Sequence, residues 1–142
     1  MGSINGGRVL LGGLVAGVVI NVGEFLLNSV VMLDQWNAAF AAMGIEAAEG
    51  GMRAAVWILW SFVVGVVAVW IYAAIRPRFG PGAKTAAIAG GVTWLLACFL
   101  WGVSMANLGL LPTGMVLTAS IWGLVEWILA TMLGAWLYQE AG

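Results

Sequence analysis

The chain has 142 residues, of which 63% are hydrophobic and 8% are charged, far from the composition of a soluble domain. Its five basic residues cannot form the basic face that nucleic-acid binding needs. Histidine is absent, which removes the commonest haem, chlorophyll and zinc ligand and the usual general base. We therefore predict no cofactor, no metal site and no catalytic residue.

Four segments are long and apolar enough to cross a bilayer, which takes about 20 apolar residues. They are predicted at about 9–33, 54–75, 85–108 and 113–138. The sequence thus predicts an all-α, four-helix transmembrane bundle forming a single integral membrane domain over residues 1–142. The first span is too long for the core of a signal peptide and lacks an Ala-x-Ala cleavage site, so we expect it to remain a membrane helix.

The first span carries one polar stripe on an otherwise apolar helix. Its members follow one another by three or four residues, a spacing that stacks side chains on one helical face: Gly13, Gly17, Asn21, Glu24 and Asn28. Such a helix turns its apolar faces to lipid and its stripe to protein.

A short helix is predicted at about 35–43, between the first two spans. Asp34 can cap it and Gly44 can end it. Its apolar face carries Trp36, Phe40 and Met43. We expect this helix to lie in the membrane interface, although a lid over the bundle would show the same pattern.

The later connections are short, and their charges predict the topology. Two prolines and two glycines interrupt the chain after the second span, and an uncharged loop joins the last two spans into a helical hairpin. One side of the membrane carries Arg8, Arg76, Arg78 and Lys84; the other carries Arg53 together with Asp34, Glu46 and Glu49. The positive-inside rule then places both termini in the cytoplasm.

A weak internal repeat relates the two helical hairpins. Trp70-Ile-Tyr72 in the second span matches Trp136-Leu-Tyr138 in the fourth, and the glycine pair at 12–13 matches that at 90–91. A duplicated hairpin would give a pseudo-two-fold axis along the membrane normal. Glycine pairs and aromatic belts also recur in unrelated membrane helices, so chance similarity remains the alternative.

The fourth span repeats the stripe of the first in reverse. Its members are Ala119, Gly123, Glu126, Ala130 and Gly134. Counted from the cytoplasmic ends at about 1.5 Å per residue, Glu24 and Glu126 lie at similar depths near the bilayer centre. If the first and fourth spans pack through these small residues, the two carboxyl groups approach each other.

Three interpretations explain two acids at this depth. In the first, both are protonated and hydrogen-bond the polar side chains of Asn21, Asn28, Ser104 or Asn107, which only fixes helix register. In the second, they form a proton or cation site, with the indoles of Trp101 and Trp127 beside a bound cation. In the third, one acid pairs with another chain or ligates a metal or the magnesium of a pigment.

Two resemblances are architectural. Four short spans with a glutamate in the first, here Glu24, resemble the small multidrug resistance transporters; the long acidic loop and the second acid, Glu126, argue against their antiparallel dimer. The whole chain, and residues 76–84 in particular, is similar to a group of small four-span bacterial inner-membrane proteins to which no function is attached. That resemblance implies a bacterial inner-membrane setting.

The leading functional hypothesis is a non-enzymatic subunit or scaffold that packs among membrane lipids into a homo-oligomer or a complex with other membrane subunits. Its helix-packing residues would be Gly13, Gly17, Gly123, Ala130 and Gly134. The alternative is a proton-coupled carrier of a small or cationic molecule that uses Glu24 and Glu126.

Overall fold

The computed structural model describes residues 3–45 and 51–140, so Glu46 and Glu49 lie outside the described residues. Four helices are long and apolar enough to cross a membrane: α1 (Gly6–Val31), α3 (Gly51–Phe79), α4 (Ala83–Asn107) and α5 (Thr113–Trp136). A shorter helix, α2 (Leu33–Ala42), follows α1. The prediction of an all-α protein with four helices able to cross a membrane is confirmed for the described residues.

Local sequence explains where the long helices begin and end. The side chain of Asn5 caps α1 by accepting the backbone N–H of Arg8 at 3.1 Å. Helix α3 runs through Pro77 and ends later than predicted, at Phe79. The chain then turns through Gly80 and Gly82, whose φ angles of +82° and +119° suit glycine best.

Each long helix of the bundle contacts two neighbours closely. Helix α1 packs against α3 and α5, and α4 packs against α5 and α3, while α3 and α5 also touch across the diagonal. Buried small residues such as Ala16, Ala89 and Ala130 lie between them. The core is therefore a four-helix arrangement in which the short hairpin of α4 and α5 faces the hairpin of α1 and α3.

The glycines of α1 contact two different helices. This corrects the prediction that the small residues of its stripe pack against the fourth span. A Cβ atom on Gly65 of α3 would meet backbone atoms of Gly13 and Gly17. These two glycines therefore pack against α3, not against α5. The contact of α1 with α5 uses the next face of the helix, where Gly12 and Gly134 approach backbone to backbone.

Helix α2 covers one end of the bundle. Its Ala39 is buried with Leu27 and Met32 at the end of α1 and with Met115 near the start of α5. Asp34 does not cap α2, since it lies inside the first turn. Contacts of this kind agree with the lid interpretation, and its position relative to a membrane interface stays a prediction.

The other end of the bundle, here called the basic end, carries four of the five basic residues and is closed by two tyrosines. The rings of Tyr72 and Tyr138 pack edge to face, with centroids 5.9 Å apart. Each hydroxyl accepts a backbone N–H from the residue just before a long helix, Gly82 for Tyr72 and Asn5 for Tyr138. Equivalent residues in mutual contact, with equivalent partners, are what a pseudo-two-fold axis through this end would produce.

Candidate functional site

The two acids at membrane depth lie in one cluster where α1 meets α5. A Cβ atom on Gly23 would meet the carboxyl group of Glu126, so that carboxyl rests on the α1 backbone beside Glu24. Gly23 is the residue before Glu24, so the two acids lie at the same level of the bundle. Only 8% of Glu126 is exposed, and Glu24 is partly buried. Glycine at position 23 leaves the space that the Glu126 side chain occupies.

A chain of hydrogen bonds joins Glu24 to the covering helix. The Nδ2 atom of Asn28 donates to Oε2 of Glu24 at 2.7 Å and to the Glu24 carbonyl oxygen at 2.9 Å. The Oδ1 atom of Asn28 accepts the indole N–H of Trp36 on α2 at 2.9 Å. Protonation or deprotonation of the Glu24 carboxyl therefore changes a hydrogen-bond chain that reaches α2 through the amide of Asn28.

Only one of the two carboxyl oxygens of the second acid, Glu126, makes a hydrogen bond within the described residues. Oε2 of Glu126 accepts the indole N–H of Trp122 at 2.6 Å, whereas its buried Oε1 has no hydrogen-bond partner among residues 3–45 and 51–140. Nearby, the indole of Trp127 is 2% exposed and lies towards the Glu24 carboxyl. Its indole N–H is directed at that carboxyl, although the contact falls short of full hydrogen-bond geometry within the described part of the chain. The cluster therefore contains one buried acceptor without a partner among those residues, Oε1 of Glu126.

No basic side chain neutralises the cluster. The five basic residues all lie in end turns of the long helices: Arg8, Arg53, Arg76, Arg78 and Lys84. Within the described residues the only ion pair joins Arg76 to Glu140 at the basic end, with Nη1 and Oε1 3.1 Å apart. Any neutralising charge at the two acids must come from a proton or a bound cation.

A cavity of about 50 Å³ lies between the acid cluster and α2. Its wall includes Trp36 of α2, Cys98 and Trp101 of α4, and Ser120 of α5. Neither carboxyl group is part of that wall.

Two π-helical turns lie at this level of the bundle, Leu27–Val31 in α1 and Leu95–Phe99 in α4. Asn28 lies in the first turn and Cys98 in the second. Such wide turns are rare and are frequently found at functional sites. Here they place an amide and a thiol beside the two carboxyl groups.

Four predicted site residues lie away from the acids. Asn21 donates to the carbonyl oxygens of Gly17 and Ile58, on the α3 side of α1. Ser104 is exposed and donates to its own helix, Asn107 is exposed, and Trp101 is 51% exposed. Of the predicted polar partners, the structure brings Asn28 and Trp127 to the carboxyl groups.

The small residues of the predicted stripe on α5 also contact two different helices, α4 and α1. A Cβ atom on Gly123 would contact Cys98 and Trp94 of α4, whereas Gly134 faces α1. Ala130 is fully buried. The stripe on α5 therefore spans two helix contacts instead of forming one seam.

Sequence reasoning did not predict the hydrogen bonds that two tryptophans, Trp122 and Trp36, donate in this cluster. Trp122 precedes Glu126 by four residues, just as Glu24 precedes Asn28, and that spacing on one helix was an available signal. Trp36 had no such signal, because the chain changes direction at Met32, between α1 and α2.

Comparison with known proteins gives no relative: no family model matches the chain, and neither a curated protein nor a solved structure matches it.

Proposed function

We propose that this protein is a proton-coupled carrier of a small cation and that Glu24 and Glu126 form its proton-binding site. The observation that carries the proposal is a buried pair of carboxyl groups without a basic partner in the described residues. One acid at the bilayer centre costs about 2.5–3.5 kcal/mol on insertion scales. Close carboxylates also disfavour ionisation of both members. The pair therefore retains a proton or takes a cation in its place.

The incomplete hydrogen bonding supports a binding role over a purely structural one. A cluster that only fixed helix register would have its buried donors and acceptors paired. Glu126 Oε1 lacks such a partner within the described residues. An acceptor of this kind suits a proton or a cation.

The conformation is closed at both ends of the site. Helix α2 covers one end through Trp36, and the contact between Tyr72 and Tyr138 closes the other. Transport would require these two closures to open in turn, as alternating access demands. The hydrogen bonds from Trp36 through Asn28 to Glu24 give the protonation state of the acid a direct effect on the first closure.

Proteoliposomes loaded with a pH-sensitive dye test the proposal. Addition of K⁺, tetramethylammonium or Ag⁺ outside should drive proton efflux with at least one of them. Glu24→Gln and Glu126→Gln should each abolish that exchange. Glu140→Gln is the matched control, because this acid lies at the basic end and pairs with Arg76. Proton efflux that is equal in all four proteins, or absent from the wild type, would contradict the proposal.

A second candidate is the subunit or scaffold role. One observation favours it: a groove of about 400 Å³ runs along the outside of α1 and α3, between Phe25 and Ile58, with the amide of Asn21 in its wall. A polar side chain on an otherwise apolar outer face is typical of a helix–helix contact in membranes. Gly17 is a poor test site for this role because it packs against Phe62 inside the chain.

Asn21→Leu should disperse a complex isolated in mild detergent, measured by native mass spectrometry. Ser104→Leu, a matched change of an exposed polar residue on α4, should leave the complex intact. An unchanged complex in the Asn21 variant would count against the subunit role.

We also propose that the chain lies in the inner membrane of a bacterial cell. By the positive-inside rule, the end of the bundle that carries Arg8, Arg76, Arg78 and Lys84 then faces the cytoplasm. Reporter fusions at the C-terminus should be active only with a cytoplasmic reporter. Activity of a periplasmic reporter there would reverse the orientation.

A further inference from the structure

The cavity beneath α2 is lined by three sulfur-containing residues from three parts of the fold. Met32 joins α1 to α2, Cys98 lies in the π-helical turn of α4, and Met115 belongs to the first turn of α5. Met32 and Met115 are buried, with 1% and 4% of their surface exposed. The cavity of about 50 Å³ exceeds the roughly 30 Å³ that one water occupies in the liquid.

The chemistry of this wall favours a soft metal ion. Thioether and thiol sulfur select ions such as Cu(I), whereas Mg²⁺ and Ca²⁺ require several oxygen ligands. The wall offers few oxygen atoms, and within residues 3–45 and 51–140 no group of three His, Cys, Asp or Glu side chains is placed to hold a metal. Two indoles, Trp36 and Trp101, complete the wall, and an indole face attracts a cation.

The nearby acids favour a cation over a neutral guest. The Sγ atom of Cys98 would lie 3.3 Å from a Cβ atom on Gly123, which is three residues before Glu126 on α5. We propose that this cavity binds one soft monovalent metal ion, of the Cu(I) or Ag(I) class, through the sulfur atoms of Met32, Cys98 and Met115. The identity of this ion as the transported cation rests on the proposed carrier function, whereas its binding in the cavity does not.

Calorimetric titration of the detergent-purified chain with Ag⁺, in chloride-free buffer, tests the site. The wild type should bind one Ag⁺ per chain. Loss of even an indirect partner lowers metal affinity about 10- to 100-fold, so Met32→Leu and Met115→Leu should each weaken binding by at least about tenfold. Leucine replaces methionine at nearly constant volume. Met132→Leu, at a partly buried position near the basic end, is the matched control and should bind as the wild type does.

Cys98→Ser should also weaken Ag⁺ binding. If both cavity methionine variants bind Ag⁺ as tightly as the wild type, the ion is held by the thiol alone and the three-sulfur site is wrong. Absence of one-to-one binding in the wild type would overturn it as well.

The double variant Glu24→Gln/Glu126→Gln separates the two proposals. Ag⁺ binding that is weakened but still one-to-one, together with lost proton exchange, supports both. Loss of Ag⁺ binding in the cavity variants, with proton exchange of another cation intact, supports the metal site and removes Ag⁺ as the transported ion. If the wild type exchanges protons but binds no Ag⁺, the carrier proposal stands and the proposed metal site is wrong.

Discussion

Two adjacent glycines of α4 should respond in opposite directions to the same substitution. A Cβ atom on Gly90 would lie 2.8 Å from the carbonyl oxygen of Trp127 and 2.9 Å from Cα of Ile128, both in the α5 backbone. A Cβ atom on Gly91 would have no atom within 4 Å. Alanine at position 90 therefore forces α4 and α5 apart, whereas alanine at position 91 meets open space.

The expected magnitudes follow from these contacts. Overpacking between helices costs about 1–3 kcal/mol, and alanine is more stable than glycine inside a helix by about 0.5–1 kcal/mol. Gly90→Ala should thus lower the free energy of unfolding by about 1–2 kcal/mol, because backbone atoms give way poorly. Gly91→Ala should raise it by about 0.5–1 kcal/mol.

Unfolding of both variants in one detergent, followed by tryptophan fluorescence, measures this difference. The wild type should lie between them. Equal shifts, or a stabilised Gly90 variant, would refute the close approach of α4 and α5.

Other contacts give further predictions. Trp36→Ala removes a side chain from the cavity wall, so a maleimide should label Cys98, the only cysteine of the chain, faster than in the wild type. Trp57→Ala, an exposed tryptophan on α3, should leave that rate unchanged; equal labelling in all three proteins would contradict the covering role of α2. Tyr72→Phe and Tyr138→Phe each remove one acceptor of a backbone N–H and should lower the free energy of unfolding by similar amounts, about 0.5–1.5 kcal/mol. Clearly unequal losses would argue against equivalent positions.

Much of the fold could be predicted because the relevant signals are local. Each span is identified by its own apolar length, and the turn between α3 and α4 by Gly80 and Gly82. The similar depth of Glu24 and Glu126 followed from counting residues along two helices. These predictions need no knowledge of which helix packs against which.

The partner of each helix face could not be predicted in the same way. A stripe of small residues shows where a helix can be approached but not by which neighbour, and so Gly13 and Gly17 contact α3 instead of α5. The hydrogen bond from Trp36 to Asn28 depends on the change of direction at Met32. The sulfur-lined cavity joins Met32 to residues distant in the sequence, and no spacing rule connects them.

Infrared spectroscopy of the carboxyl groups tests the central claim most directly. At neutral pH the wild-type protein and Glu140→Gln should both show the carbonyl stretch of a protonated carboxylic acid, with its expected shift in D₂O. Glu24→Gln/Glu126→Gln should lack this band, since the acids inside the bundle hold the proton. If the double variant keeps the band at wild-type intensity, or the wild type never shows it, the two glutamates do not form a proton-binding pair.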